Sequence, residues 1–136
     1  MKTSQSSFSF AEEIVISESL PLRDRLFAIL QRKLDFHGEN SVYATHSWHA
    51  FPAKFPPQLP RTFIRELTRL GDVVFDPMMG SCTTLIEALL LGRQAWGCDI
   101  DPLALRLGAA KTRPIDLPLV HSEGKRIIAR AQKTVD

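Results

Sequence analysis

Hydrophobic residues repeat at helical spacing near the start of the chain. Leucine and isoleucine recur every three or four positions between residues 22 and 34, which predicts an amphipathic helix. Ser19 is expected to cap this helix, with Pro21 in its first turn. Gly38 follows near the expected C-terminal end.

A second apolar face, at the same spacing, runs through residues 59–70 and predicts a second helix. Pro56 and Pro57 suit its first turn, and Gly71 ends it. Residues 41–55, between the two helices, mix aromatic and histidine side chains without a clear period. We expect them to form a structured loop, which we call the aromatic loop.

Beyond residue 71, short apolar runs alternate with helical patterns. Residues 72–75 and 94–99 predict strands, the first of them fully buried, and residues 83–91 predict the helix between them. Asp101 is expected to cap a further helix that reaches about Lys111. A strand–helix–strand series predicts a βαβ unit with a parallel sheet, so the fold class is α/β, with helices preceding the sheet.

Length and composition are those of an ordinary globular domain. The 136 residues suffice for one core, with 44% hydrophobic and 24% charged residues. We divide the chain into an N-terminal arm and helix (residues 1–40) and an α/β domain (residues 41–136), with a last basic helix at residues 119–133. No apolar window has the roughly 18 residues of a membrane helix, and the N-terminus lacks a secretory-type apolar core. We therefore expect a cytoplasmic protein with no membrane partner.

Charge, cysteine and histidine content narrow the function only slightly. The net charge of +2 neither requires nor excludes a nucleic-acid partner. Cys82 and Cys98 lie in unlike contexts, and we expect two reduced thiols in the core. His46 and His49 have no third and fourth ligand nearby in the sequence, so we predict no metal site.

The stretch FDPMMGSCTT, residues 75–84, carries the candidate chemistry. It predicts the end of a strand, a turn with Asp76 and Gly80, and the start of a helix. We call residues 76–82 the strand-end turn. A helix N-terminus at the carboxyl end of a parallel strand has unpaired N–H groups and a partial positive charge, which favour an anion. The Walker phosphate loop and the dinucleotide motif G-x-G-x-x-G are both absent from this stretch.

A carboxylate beside helix-start amides suits a ligand that carries an ammonium and a carboxylate together, as an amino-acid headgroup does. Asp99 ends the second predicted strand about twenty residues downstream, where an acid can accept hydrogen bonds from ribose hydroxyls. Amino acid plus ribose indicates S-adenosylmethionine as the cofactor. The plainer alternatives are that Asp76 only caps the helix and that Asp99 is an exposed strand end.

Residues 46–113, with the stretches PAKF, FDPMMGSCTT and GCDIDP, resemble the cofactor half of amino-specific DNA methyltransferases. This family forms N4-methylcytosine or N6-methyladenine, as in restriction–modification. The resemblance implies a partial class I (Rossmann-like) methyltransferase fold, S-adenosylmethionine as cofactor, and DNA as the substrate of the complete enzyme. The cofactor-binding residues that it implies are Asp76, Pro77, Met78, Gly80, Ser81, Thr83, Asp99, Phe51 and Lys54.

The resemblance also assigns parts of the cofactor to parts of the chain. Asp76 and Gly80 would contact the methionine portion and Asp99 the ribose, with the aromatic loop alongside. An equally weighted alternative is that Phe51 and Phe55 of that loop simply fill the core.

Two residues depart from the family pattern. Met78 replaces the usual phenylalanine and, being apolar and adaptable, can line the same pocket. Cys82 replaces the second glycine, and we expect it to weaken cofactor binding, by strain if its φ is positive or by crowding the methionine end. Trp48 and Trp96 are expected to pack rather than to stack on bases.

The residues that would use the cofactor are missing from the sequence. The family holds its flipped target base with a [DNS]-P-P-[YFW] loop, and the only Pro-Pro here, in KFPPQL, lacks both the acceptor and the aromatic. Covalent attack on cytosine C5 needs a cysteine after a proline, and neither Cys82 nor Cys98 follows one. We predict no catalytic residue in this chain, a catalytic loop beyond Asp136, and no activity of the chain alone. It would be an N-terminal piece, a split subunit with a second polypeptide, or a remnant.

Two alternatives stay open. RNA guanine-N2 methyltransferases have similar D-P-x-x-G-[ST]-G-T turns, so the substrate of the whole enzyme could be RNA. A catalytically dead remnant or a partner-binding domain would keep the fold without the chemistry.

Overall fold

The structure of the protein, a computed structural model, describes residues 19–135. Most of the expected N-terminal arm lies outside these residues. Among the described residues, no helix is both long and apolar enough to cross a lipid bilayer. In chain order the elements are α1 (Leu22–Leu30), α2 (Gln58–Leu67), β1 (Val73–Asp76), α3 (Thr83–Leu90), β2 (Gln94–Gly97), α4 (Pro102–Thr112) and α5 (Leu117–Val135).

The two strands form a parallel pair joined by α3, which confirms the predicted βαβ unit. Asp76 at the end of β1 pairs with Gly97 at the end of β2. The ladder continues past the strands, because the N–H of Cys98 donates to the carbonyl of Asp76 and the N–H of Met79 donates to the carbonyl of Cys98, both at 3.1 Å. These bonds hold the segments after β1 and β2 side by side at what we call the carboxyl edge.

Only one face of the sheet is covered within the described residues. Ala95 on that face packs against core side chains of α3 and the turn before it. Val73, Phe75 and Trp96 on the other face are 57%, 60% and 63% exposed. The prediction of a fully buried first strand is therefore wrong, because α3 shields a single face. Trp96 and Trp48 are both more than half exposed, so neither packs as we expected. Cys98 is also exposed, so of the two expected core thiols only Cys82 lies in the core.

Helix α3 is the centre of the packing. It contacts both strands, α2 and α4. The core beneath it consists of Met79, Cys82, Leu85 and Ile86. Helix α4 approaches this core closely at Gly108, where an added Cβ would lie 2.5 Å from the Sγ of Cys82. The close approach of α3 and α4 thus depends on the missing side chain at position 108.

Helix α1 is shorter than predicted, and Ser19 is not its N-cap. The N-cap residue is Pro21, which makes no side-chain cap hydrogen bond, and the helix ends at Leu30. Beyond it, the Oδ1 of Asp35 accepts a hydrogen bond from the N–H of His37 at 3.1 Å. At the end of the helix itself, the N–H of Arg32 donates to the carbonyl of Ile29 at 3.0 Å, an i to i−3 bond that tightens the last turn.

Helix α1 and the turn that follows it are attached to α2 by a hydrogen bond and an ion pair. Arg25 donates to the carbonyl of Glu66 at 2.9 Å, and Arg32 lies 3.5 Å from the buried carboxylate of the same residue. Helix α2 begins at Gln58, with Pro57 as its N-cap rather than inside its first turn. The division between the arm and the α/β domain stays a prediction, although these contacts tie α1 to the following helix.

Helices α4 and α5 agree with the sequence pattern. The Oδ1 of Asp101 accepts from the N–H of Leu103 at 2.8 Å, which confirms the predicted cap of α4. Helix α5 is longer than predicted, and the Oδ1 of Asp116, just before it, accepts from the N–H of Leu119 at 3.1 Å. An acid at this position satisfies an N–H group that the first turn leaves unpaired.

Cys82 adopts the left-handed conformation, with φ 66° and ψ 26°, and its side chain is fully buried. This conformation costs a residue with a side chain about 1–2 kcal/mol, a penalty that glycine largely avoids. Cys82→Ala keeps the strain and Cys82→Gly removes it, while both lose the sulfur from the core. We predict that both variants are less stable than the parent, and that the glycine variant is more stable than the alanine variant by about 1 kcal/mol.

Urea denaturation followed by circular dichroism measures these free energies of unfolding. Ala88→Gly is the control, because Ala88 is also fully buried in α3 but lies inside the helix. There glycine should be less stable than alanine by about 1 kcal/mol. A Cys82→Ala variant as stable as Cys82→Gly would show that the backbone at this position is not strained.

Candidate functional site

The strand-end turn places Asp76 at the carboxyl end of β1. Its Oδ1 accepts from the N–H of Met78 at 3.0 Å, and the side chain is half-buried. The N-cap of α3 is Cys82, and no side chain caps that helix. The alternative in which Asp76 merely caps α3 is therefore wrong, and its carboxylate belongs to the turn.

The start of α3 suits an anion. The N-cap residue Cys82 makes no side-chain cap hydrogen bond, so the positive end of the helix dipole points to the carboxyl edge without a capping side chain from that residue. The hydroxyls of Ser81 and Thr83 are buried and share a hydrogen bond of 3.0 Å. These two residues would therefore meet a ligand with their backbone N–H groups. The sulfur of Cys82 is fully buried and presents no surface to such a ligand.

Asp99, after β2, is bound to the strand-end turn. Its Oδ2 accepts from the N–H of Gly80 at 2.8 Å, and its Oδ1 accepts from the N–H of Asp101 at 2.9 Å. The hydrogen bond from Asp101 and then the one from Gly80 lower the pKa of Asp99, because both favour the ionised carboxylate. Asp99 is therefore not an isolated, exposed strand end, because both of its carboxylate oxygens accept hydrogen bonds from the backbone.

The aromatic loop reaches the turn at Gly80, whose φ is +46°. A Cβ added at Gly80 would lie 3.4 Å from Cε1 of Phe51, so the ring covers the turn at this point. The Nζ of Lys54 donates to the carbonyl of His46 at 2.8 Å, closing the loop on itself. Phe51 is half-buried, whereas Phe55 is exposed and does not fill the core.

The other two predicted residues lie at the rim of the site. Met78 is 83% exposed, and Pro77 is also exposed. The structure thus brings the two acids, the turn glycine and Phe51 together at the carboxyl edge. It places Met78 and Pro77 beside them and turns Lys54 back onto its own loop.

A buried ionic cluster beside the turn was missed by the sequence analysis. In α3, Glu87 is fully buried, with its Oε1 2.7 Å from both the Tyr43 hydroxyl and the Nε2 of His46, and its Oε2 2.9 Å from Nη1 of Arg61. Burial raises the pKa of Glu87, but the hydrogen bonds from His46, Tyr43 and Arg61 together outweigh it and lower the pKa. Burial and then the hydrogen bond to this carboxylate raise the pKa of Tyr43 well above its usual range. The available signal was one carboxylate inside the apolar run TTLIEALLL.

Lys111 is another residue that the sequence analysis did not assign to the site. From α4, its Nζ donates to the carbonyl of Ser81 at 3.1 Å, and the side chain is buried. Burial, and then the charge of Lys54, lower the pKa of Lys111, and burial raises the pKa of the Cys82 thiol. Lys111 thus fastens the backbone of the turn to α4.

The predicted absence of a metal site stays a prediction for the whole chain. Among residues 19–135, no three His, Cys, Asp or Glu side chains come together in a way that could hold a metal ion. The Nε2 of His46 instead forms a hydrogen bond with the carboxylate of Glu87.

Three comparisons relate this arrangement to known proteins. The family model N6_N4_Mtase, described as DNA methylase, matches residues 22–110. The type II methyltransferase M.MvaI from Kocuria varians is 38% identical over 86 residues, which are 61% of this chain and 19% of that protein. A tRNA (guanine(10)-N2)-dimethyltransferase from Methanocaldococcus jannaschii is 35% identical over 88 residues, 63% of this chain and 22% of that protein.

A solved structure is also similar. It is that of TTHA0409, a putative DNA modification methylase from Thermus thermophilus, in complex with S-adenosyl-L-methionine. It is 35% identical and covers 45% of this chain and 27% of that one, with a TM-score of 0.41.

The chain matches between 14% and 22% of the length of these and other curated relatives. The segment that the family model matches runs from α1 through most of α4 and includes the aromatic loop, the strand-end turn and Asp99. This match confirms the resemblance and, with the parallel βαβ unit, the partial class I methyltransferase fold. Because the match covers well over half of the 136 residues, the protein belongs to the N6/N4 family of DNA methylases.

Proposed function

We propose that the chain binds S-adenosylmethionine and forms the cofactor part of a DNA methyltransferase that acts on an exocyclic base amine, N4 of cytosine or N6 of adenine. The observation that carries the proposal is the 2.8 Å hydrogen bond from the N–H of Gly80 to the Oδ2 of Asp99. It joins the strand-end turn to the end of β2, and carboxyl ends of parallel strands are where α/β sheets bind ligands.

Each polar part of the cofactor has a matching group at the carboxyl edge. The carboxylate of Asp76 suits the ammonium group through charge-assisted hydrogen bonds, and the uncapped start of α3 suits the carboxylate. Asp99 keeps acceptor lone pairs beyond its bonds to backbone N–H groups, and its lowered pKa keeps it ionised to accept from ribose hydroxyls. The bound cofactor supplies an electrophilic methyl group, and the residues of this chain hold and orient it.

The less polar surroundings suit the rest of the ligand. The ring of Phe51 forms a wall at Gly80, and Met78 and Pro77 lie at the rim. Lys54 lies on the same loop and would have to release the carbonyl of His46 before it could contact a ligand.

We further propose that the catalytic loop is supplied by polypeptide outside these 136 residues. The resembling family holds its flipped base with a [DNS]-P-P-[YFW] loop, and the only Pro-Pro of these 136 residues, in KFPPQL, does not fit that pattern. The exposed side chains of Val73, Phe75 and Trp96 support this proposal, because an apolar sheet face of this kind packs against further structure in a complete α/β domain. The added polypeptide would either continue this chain or be a second one.

DNA is favoured over RNA as the substrate. The family model is described as DNA methylase, and the RNA alternative is represented by the tRNA dimethyltransferase. A remnant that binds the cofactor without acting on any substrate is the other alternative, and the transfer experiment below separates all three.

The first functional prediction concerns Asp76. S-adenosylmethionine or its demethylated product, at millimolar concentration, should raise the melting temperature of the 136-residue chain, because a ligand that binds only the folded state stabilises it. Asp76→Asn should weaken binding by about tenfold to a hundredfold, because an uncharged amide replaces the partner of the ammonium group. Calorimetry measures the dissociation constants.

Asp72→Asn is the matched control. Asp72 precedes β1 at its opposite end and accepts from the N–H of Arg69, so its substitution should leave cofactor affinity unchanged. Equal affinity of the parent and Asp76→Asn would remove Asp76 from the cofactor site.

The second functional prediction is that the 136 residues alone transfer no methyl group. Binding positions the methyl donor, but the base amine remains a poor nucleophile without alignment and polarisation. Labelled methyl should pass from S-adenosylmethionine to mixed-sequence DNA only when the polypeptide encoded downstream is added. Parallel reactions contain tRNA in place of DNA.

The outcomes separate the three alternatives. Label in DNA from the chain alone, lost in Asp76→Asn, would contradict the absence of catalytic residues. Label in tRNA would favour the RNA alternative, and no label in any mixture would favour the remnant.

A further inference from the structure

The carboxylate of Glu87 connects three segments of the chain. It lies on α3 and receives hydrogen bonds from Tyr43 and His46 of the aromatic loop and from Arg61 of α2. An ionised carboxylate only accepts hydrogen bonds, so the tyrosine hydroxyl, the Nε2–H of His46 and the guanidinium all donate to it. A buried charge is tolerated only with such partners, so the carboxylate fixes where these groups lie.

Further contacts make the bound part of the aromatic loop compact. The rings of Tyr43 and His46 meet edge to face, with centroids 4.9 Å apart and an interplanar angle of 78°. Lys54 returns to the carbonyl of His46 at 2.8 Å, so the far end of the loop is fastened to the residue that Glu87 holds. Because both ends of the segment 46–54 are held in this way, the position of His46 restrains Phe51, which lies between them.

The backbone of the aromatic loop is strained at two positions. Ala44 and Ala53 have φ values of 46° and 55°, in the left-handed region that side-chain-bearing residues rarely adopt. Such conformations persist only when surrounding contacts hold them, and they are concentrated near functional sites. Tyr43 and His46, which bond to Glu87, lie on either side of Ala44, and Lys54, which bonds to the carbonyl of His46, directly follows Ala53. These bonds can hold the two alanines in their strained conformations.

Phe51 is where the aromatic loop meets the proposed cofactor site. Its ring lies against Gly80, with 3.4 Å between Cε1 and the position of an added Cβ, and the N–H of Gly80 is bonded to Asp99. A displaced loop would move this ring away from the turn without disturbing the strand pairing.

We propose that Glu87 is a positioning residue for the cofactor site: through Tyr43 and His46 it holds the aromatic loop so that Phe51 covers the strand-end turn. The proposal rests on the proposed function, since the site that is positioned is the one for S-adenosylmethionine. Glu87 itself touches no cofactor and is not a catalytic residue.

Glu87→Gln tests the proposal, because it keeps the volume of the side chain and removes its charge and one acceptor oxygen. The matched control is Glu66→Gln, which alters another buried carboxylate, on α2, that pairs with Arg32 and Arg65 rather than with the aromatic loop. Both variants are expected to melt below the parent. All comparisons are made at a temperature where each variant is fully folded by circular dichroism.

Two readouts distinguish positioning from general stability. Calorimetry with S-adenosylhomocysteine should show a dissociation constant at least about tenfold higher for Glu87→Gln, and one within about twofold of the parent for Glu66→Gln. Trp48 lies on the aromatic loop and reports its mobility once Trp96 is changed to Phe. The fluorescence anisotropy of Trp48 should decay faster, and to a lower residual value, on the nanosecond timescale in Glu87→Gln. In Glu66→Gln the decay should stay unchanged.

A conservative rescue sharpens the test. His46→Gln keeps an N–H donor for Glu87, whereas His46→Leu does not, so the dissociation constant for His46→Gln should lie closer to that of the parent. If Glu87→Gln does not fold, Tyr43→Phe, which removes one of the three hydrogen bonds, takes its place with the same readouts.

The results that would overturn the proposal are specific. A folded Glu87→Gln variant with unchanged affinity and unchanged Trp48 anisotropy would make Glu87 a stabilising residue only. If the parent binds no S-adenosylhomocysteine, the proposed function fails, and the Trp48 anisotropy alone decides whether Glu87 positions the loop.

Discussion

The parallel pairing of β1 with β2 is the constraint on which the whole site depends. The two backbone hydrogen bonds beyond the strands, through Cys98, keep the chain in register as it leaves the sheet. That register sets Asp99 beside the N–H of Gly80 and starts α3 at the same edge. A slip of one residue would turn the side chains of one strand to the opposite face and separate the two acids. The geometry of the site therefore depends first on the pairing of the two strand backbones and only then on individual side chains.

Two buried charges then fix the turn and the loop that meets it. Lys111 fastens the carbonyl of Ser81 to α4, and Glu87 connects α3 to the aromatic loop and to α2. Each buried charge is stable only while its partners stay in place, so each restricts the backbone that carries those partners. On the α4 side, the strand-end turn is held by the ammonium group of Lys111. On the other side it contacts the aromatic loop, which is held by the carboxylate of Glu87.

The sequence predicted those parts of the fold that local signals determine. The strands, α3 and the cap of α4 by Asp101 follow from apolar spacing and from one side chain with its neighbouring N–H groups. Asp76 and Asp99 were predicted together because each ends a predicted strand and suits a different polar part of one ligand, the ammonium group and the ribose. The N-cap and the end of α1 were not predicted, since the apolar spacing continues to Leu34 whereas the backbone leaves the helix after Leu30.

The Glu87 cluster lay beyond local reasoning. Its partners Arg61, His46 and Tyr43 are 26, 41 and 44 residues away, so no spacing rule connects them. Exposure of the sheet face was also missed, because an apolar run indicates that a strand will be covered but not what covers it. The strain at Cys82 was inferable only through the resemblance to a family that has glycine at that position.

The contact between Cys82 and Gly108 has a consequence for how the family can vary. The sulfur and a side chain at position 108 compete for one space, since an added Cβ would lie 2.5 Å from the Sγ. With glycine at 82, an alanine at 108 would meet only the flexible side chain of Met79, whose Cε lies 3.2 Å from the added Cβ, so the two substitutions have non-additive effects. In an evolutionary lineage that passes between these states, the order of the changes matters: position 82 must lose its sulfur before position 108 gains a methyl group. The two positions should covary among relatives although they are distant in the sequence.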